Sequence, residues 1–257
     1  MKNPMSLEGR HILVTGAAQG IGLCVTQLIL DLGGSATMVD NNSAALESSS
    51  ADLDGARIHT AVGSVTDPAF MDSVVHSTVQ RFGALHGLVN NAGIVRAALI
   101  EKMTLEQWQQ VIDVNLTGAF VALQAVGRHM LMRAATGESN VGSIVNVSSD
   151  AGRRGTMGQI NYGAAKAGLF GLSMSAATEW ARYDIRVNTI CFGLVETDMT
   201  KVIRSDRFRE RSLAKIPMGR WGSPEDAAQP ICYLLSGASE LVTGQTFSMN
   251  GGAHMHP

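Results

Sequence analysis

The chain of 257 residues has little cysteine: three, at positions 24, 191 and 232, far apart and without a C-x-x-C pair. That excludes a disulfide framework and a cysteine-rich metal site, and it fits reduced, mostly buried thiols in a cytoplasmic protein. An excess of one charge is also missing. Lys and Arg number 20 against 22 Asp and Glu, a formal net charge of −2. Such a balance leaves no basic footprint for nucleic acid and no polybasic anchor for a membrane. No run approaches the roughly 18 apolar residues needed to span a bilayer. Met1–Ser6 leads into a short apolar run, not the longer stretch of a signal peptide. The seven histidines include no H-E-x-x-H, and the tail His254-Met255-His256 reads as a frayed terminus, so no metal is expected. Linkers, low-complexity tracts and short-period repeats are absent too.

What is present is apolar and glycine-rich: 45% hydrophobic residues and 28 glycines, as for one large α/β domain over 1–257. Short apolar runs predict strands at His11–Val14, Ala36–Val39, Arg57–Val62, Gly87–Asn90, Ser143–Val147, Arg186–Cys191 and Thr246–Met249. Helical spacing predicts helices near 20–33, 67–82, 104–134, 161–182 and 224–236. Several strands are apolar throughout, as in a parallel sheet covered on both faces. Repeated βα units make a single Rossmann-type, right-handed doubly wound sheet the expected fold. The small residues of 161–182 suit either packing within one subunit or a subunit interface.

Three features carry chemistry. Tyr162 and Lys166 share a helix face at i and i+4, and Ser149 stands upstream of them. A nearby ammonium favours phenolate over phenol, and a hydroxyl in the same pocket can hold a carbonyl or alcohol oxygen. Taken alone, a Tyr-x-x-x-Lys pair is more often surface or packing. Second, the first strand runs into Gly16-Ala17-Ala18-Gln19-Gly20-Ile21-Gly22. Glycines there permit a tight turn and close approach of backbone to a pyrophosphate at the following helix N-terminus. Third, Asp40 ends the second strand, where a carboxylate accepts from adenosine ribose hydroxyls and repels a 2′-phosphate. Ala17, Ala18 and Gln19 supply no offsetting cation. The expectation is NAD rather than NADP, with Asp40 as a plain turn former the alternative.

Together with Asn90-Asn91-Ala92-Gly93, Asn115 in Val114-Asn115-Leu116-Thr117-Gly118, Ser148-Ser149, Glu196-Thr197-Asp198-Met199 and Asn250-Gly251-Gly252, these residues resemble the short-chain dehydrogenase/reductase family. The likeness covers nearly the whole chain. It implies that Tyr162 is the acid/base, that Lys166 lowers its pKa and binds the nicotinamide ribose, and that Ser149 orients the substrate oxygen. Asn115 would support a water-linked proton path to the lysine. Gly16, Gln19, Gly20, Ile21 and Gly22 would cradle the pyrophosphate, with Asn91, Ala92 and Gly93 along the adenosine and ribose. Gly193, Val195 and Thr197 would flank the nicotinamide. Two departures stand out. Ser64-Val65 replaces the usual Asp after the third strand, and Phe192-Gly193 replaces Pro-Gly, which either loosens that loop or packs Phe192 on the ring.

Within the family the motifs are most like the 3-oxoacyl-[acyl-carrier-protein] reductases. NAD-linked polyol, sugar and secondary-alcohol dehydrogenases share nearly all of them. A homotetramer built on the two long helices and the last strand is implied by the same likeness. Residues 196–220 read as a substrate lid holding Lys201, Arg204, Arg207, Arg209, Arg211, Lys215 and Arg220. Those cations suit an anionic substrate or simply a solvated helix face. Arg153, Arg154, Met157 and Gln159 are further candidates to line the pocket. A non-catalytic nucleotide-binding scaffold is the reading from another class, and the retained Ser, Tyr and Lys argue against it.

Overall fold

The computed structural model describes residues 3–255; Met1, Lys2, His256 and Pro257, and the terminal readings that include them, lie outside that range. In chain order the elements are β1 (His11–Thr15), α1 (Gly20–Asp31), β2 (Ser35–Asp40), α2 (Ser43–Ser50), β3 (Ile58–Val62), α3 (Pro68–Phe82) and β4 (Gly87–Asn90). Then come α4 (Leu105–Ile112) and α5 (Gly118–Ala135), β5 (Gly142–Ser149), α6 (Ala151–Arg154), α7 (Ile160–Trp180) and β6 (Ile185–Phe192). Residues 196–220 hold α8 (Lys201–Arg204) and α9 (Asp206–Leu213), followed by α10 (Pro224–Leu235) and β7 (Thr246–Met249).

The sheet is parallel throughout, in the order β3-β2-β1-β4-β5-β6-β7. Its apolar strands follow from burial on both faces. Along β1, Ile12 and Val14 enter one core with α1 and α10, while Leu13 enters the other with α3 and α5. Burying each such side chain contributes about 1.5–3 kcal/mol, and the polar residues buried among them are partnered, as Thr37 is by His11 and Asn188 by the Val242 carbonyl. β1 lies between β2 and β4, where the winding reverses and a crevice opens beyond the strands' carboxyl ends.

Helix starts are written locally. Asp67 caps α3 by accepting from Ala69 and Phe70 N–H, with Pro68 in the first turn. Capping boxes open α4 (Thr104, Gln107) and α10 (Ser223, Asp226). The predicted helix 104–134 is instead two helices joined by a wide π turn at Asp113–Thr117. By length and apolarity Leu105–Ala135 resembles a membrane span, yet Val121, Ala122, Val126 and Met130 are core. α2 was not expected, because its Ser-rich sequence lacks an apolar period; Asn42 caps it and Leu46 alone is buried.

Candidate active site

The crevice is a cleft of about 560 Å³ at the carboxyl ends of the strands. Its floor begins with the glycine turn after β1. Gly16 and Gly20 have φ of +64° and +56°, the left-handed region that favours glycine. A methyl at Gly22 would stand 2.1 Å from the Gly16 carbonyl oxygen, so this glycine serves helix–turn packing and does not line the cleft. Thr15, which sequence reasoning missed, ties the turn to β4: its Oγ1 accepts from Asn91 and Ala92 N–H, both at 3.1 Å. Asn91 Nδ2 donates to the Thr15 and Gly16 carbonyls at 3.0 and 3.1 Å. A polar residue ending the strand before a glycine turn is the signal that could have found Thr15.

A dinucleotide fits these residues. No side chain caps the N-terminus of α1, so its first N–H groups face the cleft. A methyl at Gly20 would approach Thr197 Cγ2 at 3.4 Å, so the glycine keeps the passage between α1 and the segment after β6 clear. At one end Asp40 accepts from Ala18 N–H at 3.1 Å and Asn42 N–H at 3.0 Å. Gln19, Ile21, Ser64, Val65, Ala92 and Gly93 line the same cleft. Ser64 Oγ also pairs with Thr66 Oγ1 at 2.8 Å. Gly193, Val195 and Thr197 line the far side. Phe192 is buried in the core as the last residue of β6 and borders the cleft, so the missing proline leaves an anchored strand end.

Ser149, Tyr162 and Lys166 meet in this cleft. Ser149 ends β5, and its Oγ accepts from Ala151 N–H at 3.2 Å. Tyr162, in the first turn of α7, lines the cleft with Ser149, which favours its ionised form. Lys166 is 3% exposed and donates to the Val147 carbonyl at 2.7 Å, with Nζ 5.7 Å from the Tyr162 ring centroid. Ser148 Oγ donates to the Lys166 carbonyl at 2.7 Å, tying α7 to β5.

Desolvation dominates the electrostatics of the cluster. Burial pushes the Tyr162 phenol up to about 12, and Ser149 only partly opposes it. Burial likewise pulls the Lys166 ammonium down to about 8. Asn115 lies in the wide turn outside the cleft lining, and its amide holds Ile94 at both ends, accepting from its N–H at 2.8 Å and donating to its carbonyl at 2.9 Å. A methyl at Gly93 would stand 3.3 Å from Asn115 Oδ1 and 3.6 Å from Lys166 Nζ, so Asn115 pins the backbone that passes over the lysine.

The cations that suited either an anionic substrate or a solvated face lie outside the cleft lining. Arg153 donates to Ser248 Oγ at 2.7 Å and stacks on Phe170. Arg204 donates to the Thr197 carbonyl, Arg209 lies over Trp221, Lys201 pairs with Asp198, and Arg220 pairs with Asp226. Neither these residues nor Arg154, Arg207, Arg211, Lys215, Met157 or Gln159 line the cleft, whereas Glu196 and Asp198 do.

A parallel doubly wound sheet with a dinucleotide-shaped cleft ending at a Ser–Tyr–Lys cluster defines a nicotinamide-dependent oxidoreductase acting on CH–OH groups. The family model described as enoyl-(acyl carrier protein) reductase matches residues 16–254. The 3-oxoacyl-[acyl-carrier-protein] reductase FabG of Thermotoga maritima is 42% identical, covering 96% of this chain and 99% of that protein. Its Escherichia coli counterpart is 38% identical, covering 98% and 100%. Among solved structures, a gluconate 5-dehydrogenase from Burkholderia cenocepacia in complex with NADP and tartrate superposes with TM-score 0.90 at 30% identity, covering 97% of each chain. A short-chain dehydrogenase of the glucose/ribitol type from Brucella melitensis also gives 0.90 at 30% identity, covering 97% and 98%. The chain belongs to the short-chain dehydrogenase/reductase family.

Proposed function

We propose that the protein is an NAD(H)-dependent reductase of a 3-oxoacyl thioester, interconverting ketone and secondary alcohol with Tyr162 as acid/base. The meeting of Ser149, Tyr162 and Lys166 at one end of the cleft carries this reading. The bound nicotinamide supplies or accepts the hydride. The chain supplies the rest: Ser149 orients the substrate oxygen, Tyr162 gives or takes its proton, and Lys166, held by Val147, positions the cofactor ribose.

Asp40 supports NAD over NADP. Its carboxylate borders the cleft, and about 4 kcal/mol of repulsion against each unit of phosphate charge is expected at 4 Å in an effective dielectric near 20. The named reductase relatives support an acyl thioester. The solved neighbours favour a second reading, a polyol or sugar-acid dehydrogenase. Against sugar acids stands the absence of any guanidinium from the cleft lining, where Glu196 is also found. We further propose that residues 196–220 act as a lid, that the protein is cytoplasmic, and that it is a homotetramer. Phe120, Met132 and Met174, exposed on the outer faces of α5 and α7, support that last point.

One assay decides: NADH and NADPH rates with acetoacetyl-CoA, beside NAD-linked oxidation of sugar alcohols and simple secondary alcohols. Thioester reduction with NADH dominant supports the proposal. Polyol oxidation without thioester reduction selects the second reading.

A further inference from the structure

Beside Ser149 lies a carboxylate that makes no ion pair among the described residues. Asp150 is 3% exposed, and among the described residues its oxygens are met by Asn250 Nδ2, at 3.1 and 3.2 Å, and by the Cys191 thiol at 3.6 Å. The nearby guanidinium of Arg153 is turned to Ser248. A buried charge with so few partners is costly, which poses the question of what it organises.

Its bonds join three chain ends around the site. Asp150 N–H donates to the Phe192 carbonyl at 2.8 Å, fastening the end of β5 to the end of β6. The next residue, Ala151, donates its N–H to Ser149 Oγ, so the serine's orientation depends on where this turn sits. Asn250, just past β7, is committed on every side: besides Asp150 it donates to the His254 carbonyl at 2.8 Å and accepts from Gly252 N–H at 3.1 Å. Asn250 also backs the cleft wall, since a methyl at Gly193 would stand 2.8 Å from its Cβ. The pair therefore sits behind both Ser149 and Gly193, and the residues are 100 positions apart.

We propose that Asp150 and Asn250 form a positioning pair that makes the C-terminal turn part of the catalytic apparatus, fixing Ser149 against Tyr162 and Gly193 against the cofactor. This rests on the carbonyl/alcohol reading. Neither residue touches substrate; each acts through a neighbour.

The test uses the full-length protein, NADH and whichever ketone the wild type reduces, with kcat expressed per NADH-binding site from a fluorescence titration. Asn250→Asp sets two carboxylates face to face, Asn250→Ser removes the amide without adding charge, and D150N/N250D rebuilds the pair with its charge exchanged. Both single variants should lower kcat per site about tenfold or more with KM within about threefold, because small misplacements of reacting groups are that costly. The exchanged pair should recover most of the loss. If Asn250→Asp does not fold, Asn250→Ser carries the test alone. Single variants that keep kcat per site within about twofold, or an exchanged pair as slow as Asn250→Asp, overturn the pair while leaving the reaction intact. A wild type that reduces no ketone refutes the reading beneath it, and the pair with it.

Discussion

Lys166 Nζ donates to the Val147 carbonyl at 2.7 Å while standing 5.7 Å from the centroid of the Tyr162 ring. The ammonium is thus anchored to β5 while it lies over the Tyr162 ring. With burial setting Tyr162 near 12 and Lys166 near 8, neutral solution holds a phenol beside an ammonium.

A pH asymmetry follows. Reduction needs the phenol, which is ready at neutral pH; oxidation needs the phenolate, which becomes more abundant as pH rises. Between pH 5 and 7, below the Lys166 value near 8, kcat/KM for alcohol oxidation should climb roughly tenfold per unit while that for ketone reduction stays flat. Oxidation that is level or falling across that range would contradict the assignment.

Asp40 makes the cofactor choice testable at one position. Asp40→Ala should raise NADPH affinity relative to NADH by about tenfold or more, as lost charge repulsion of roughly 1–4 kcal/mol requires. Fluorescence titration with both nucleotides measures it. An unchanged ratio would assign Asp40 to the turn alone, through its bonds to Ala18 and Asn42.

Gly22→Ala probes the glycine turn without touching the cleft lining. Its methyl would meet the Gly16 carbonyl at 2.1 Å and Asn91 Nδ2 at 2.8 Å, and backbone cannot move aside cheaply. A loss of about 1–3 kcal/mol in denaturant unfolding is expected, with weaker NADH binding. A wild-type midpoint and affinity would show that the turn is loose.

Acid should unfold this protein through histidines far from the site. His86 Nδ1 accepts from His11 N–H at 3.1 Å, and His129 Nε2 accepts from Leu85 N–H at 3.2 Å, so these rings are held neutral. Burial, with like charge from neighbouring histidines and arginines, lowers His11 to about 3 and His86 to about 4. Unfolding restores values near 6.5, so the unfolded chain binds more protons below that pH. Stability is therefore complete above about pH 6.5 and falls toward pH 4, by up to about 2.7 kcal/mol per unit for the two groups. Urea unfolding against pH, with His86→Gln flattening the slope, checks this. An equal slope in that variant would remove His86 from the account.

How much of this was legible in the sequence depends on the range of each interaction. The strands were readable because burial on both faces leaves apolar runs, as at Ile12, Leu13 and Val14. The Tyr162–Lys166 pair was readable because its helix spacing is local, and Ser149 joined it through the family likeness. α2 was not, since its Ser-rich stretch is held by the Asn42 cap and one buried leucine. The arginines stayed undecided for a related reason: charge is visible in a sequence, but its partner is not. Arg153 turns to Ser248, 95 positions away, and Asp150 to Asn250, 100 away. The raised Tyr162 pKa was hidden too, because desolvation belongs to the folded cleft and not to the neighbouring lysine.

Single-turnover hydride transfer in Tyr162→Phe, followed by loss of NADH absorbance with saturating ketone, tests the central claim most directly. NADH binding should stay within a few-fold of wild type while transfer slows by roughly 10²–10⁴, the usual worth of a positioned acid. Transfer at the wild-type rate would show that Tyr162 is not the proton donor.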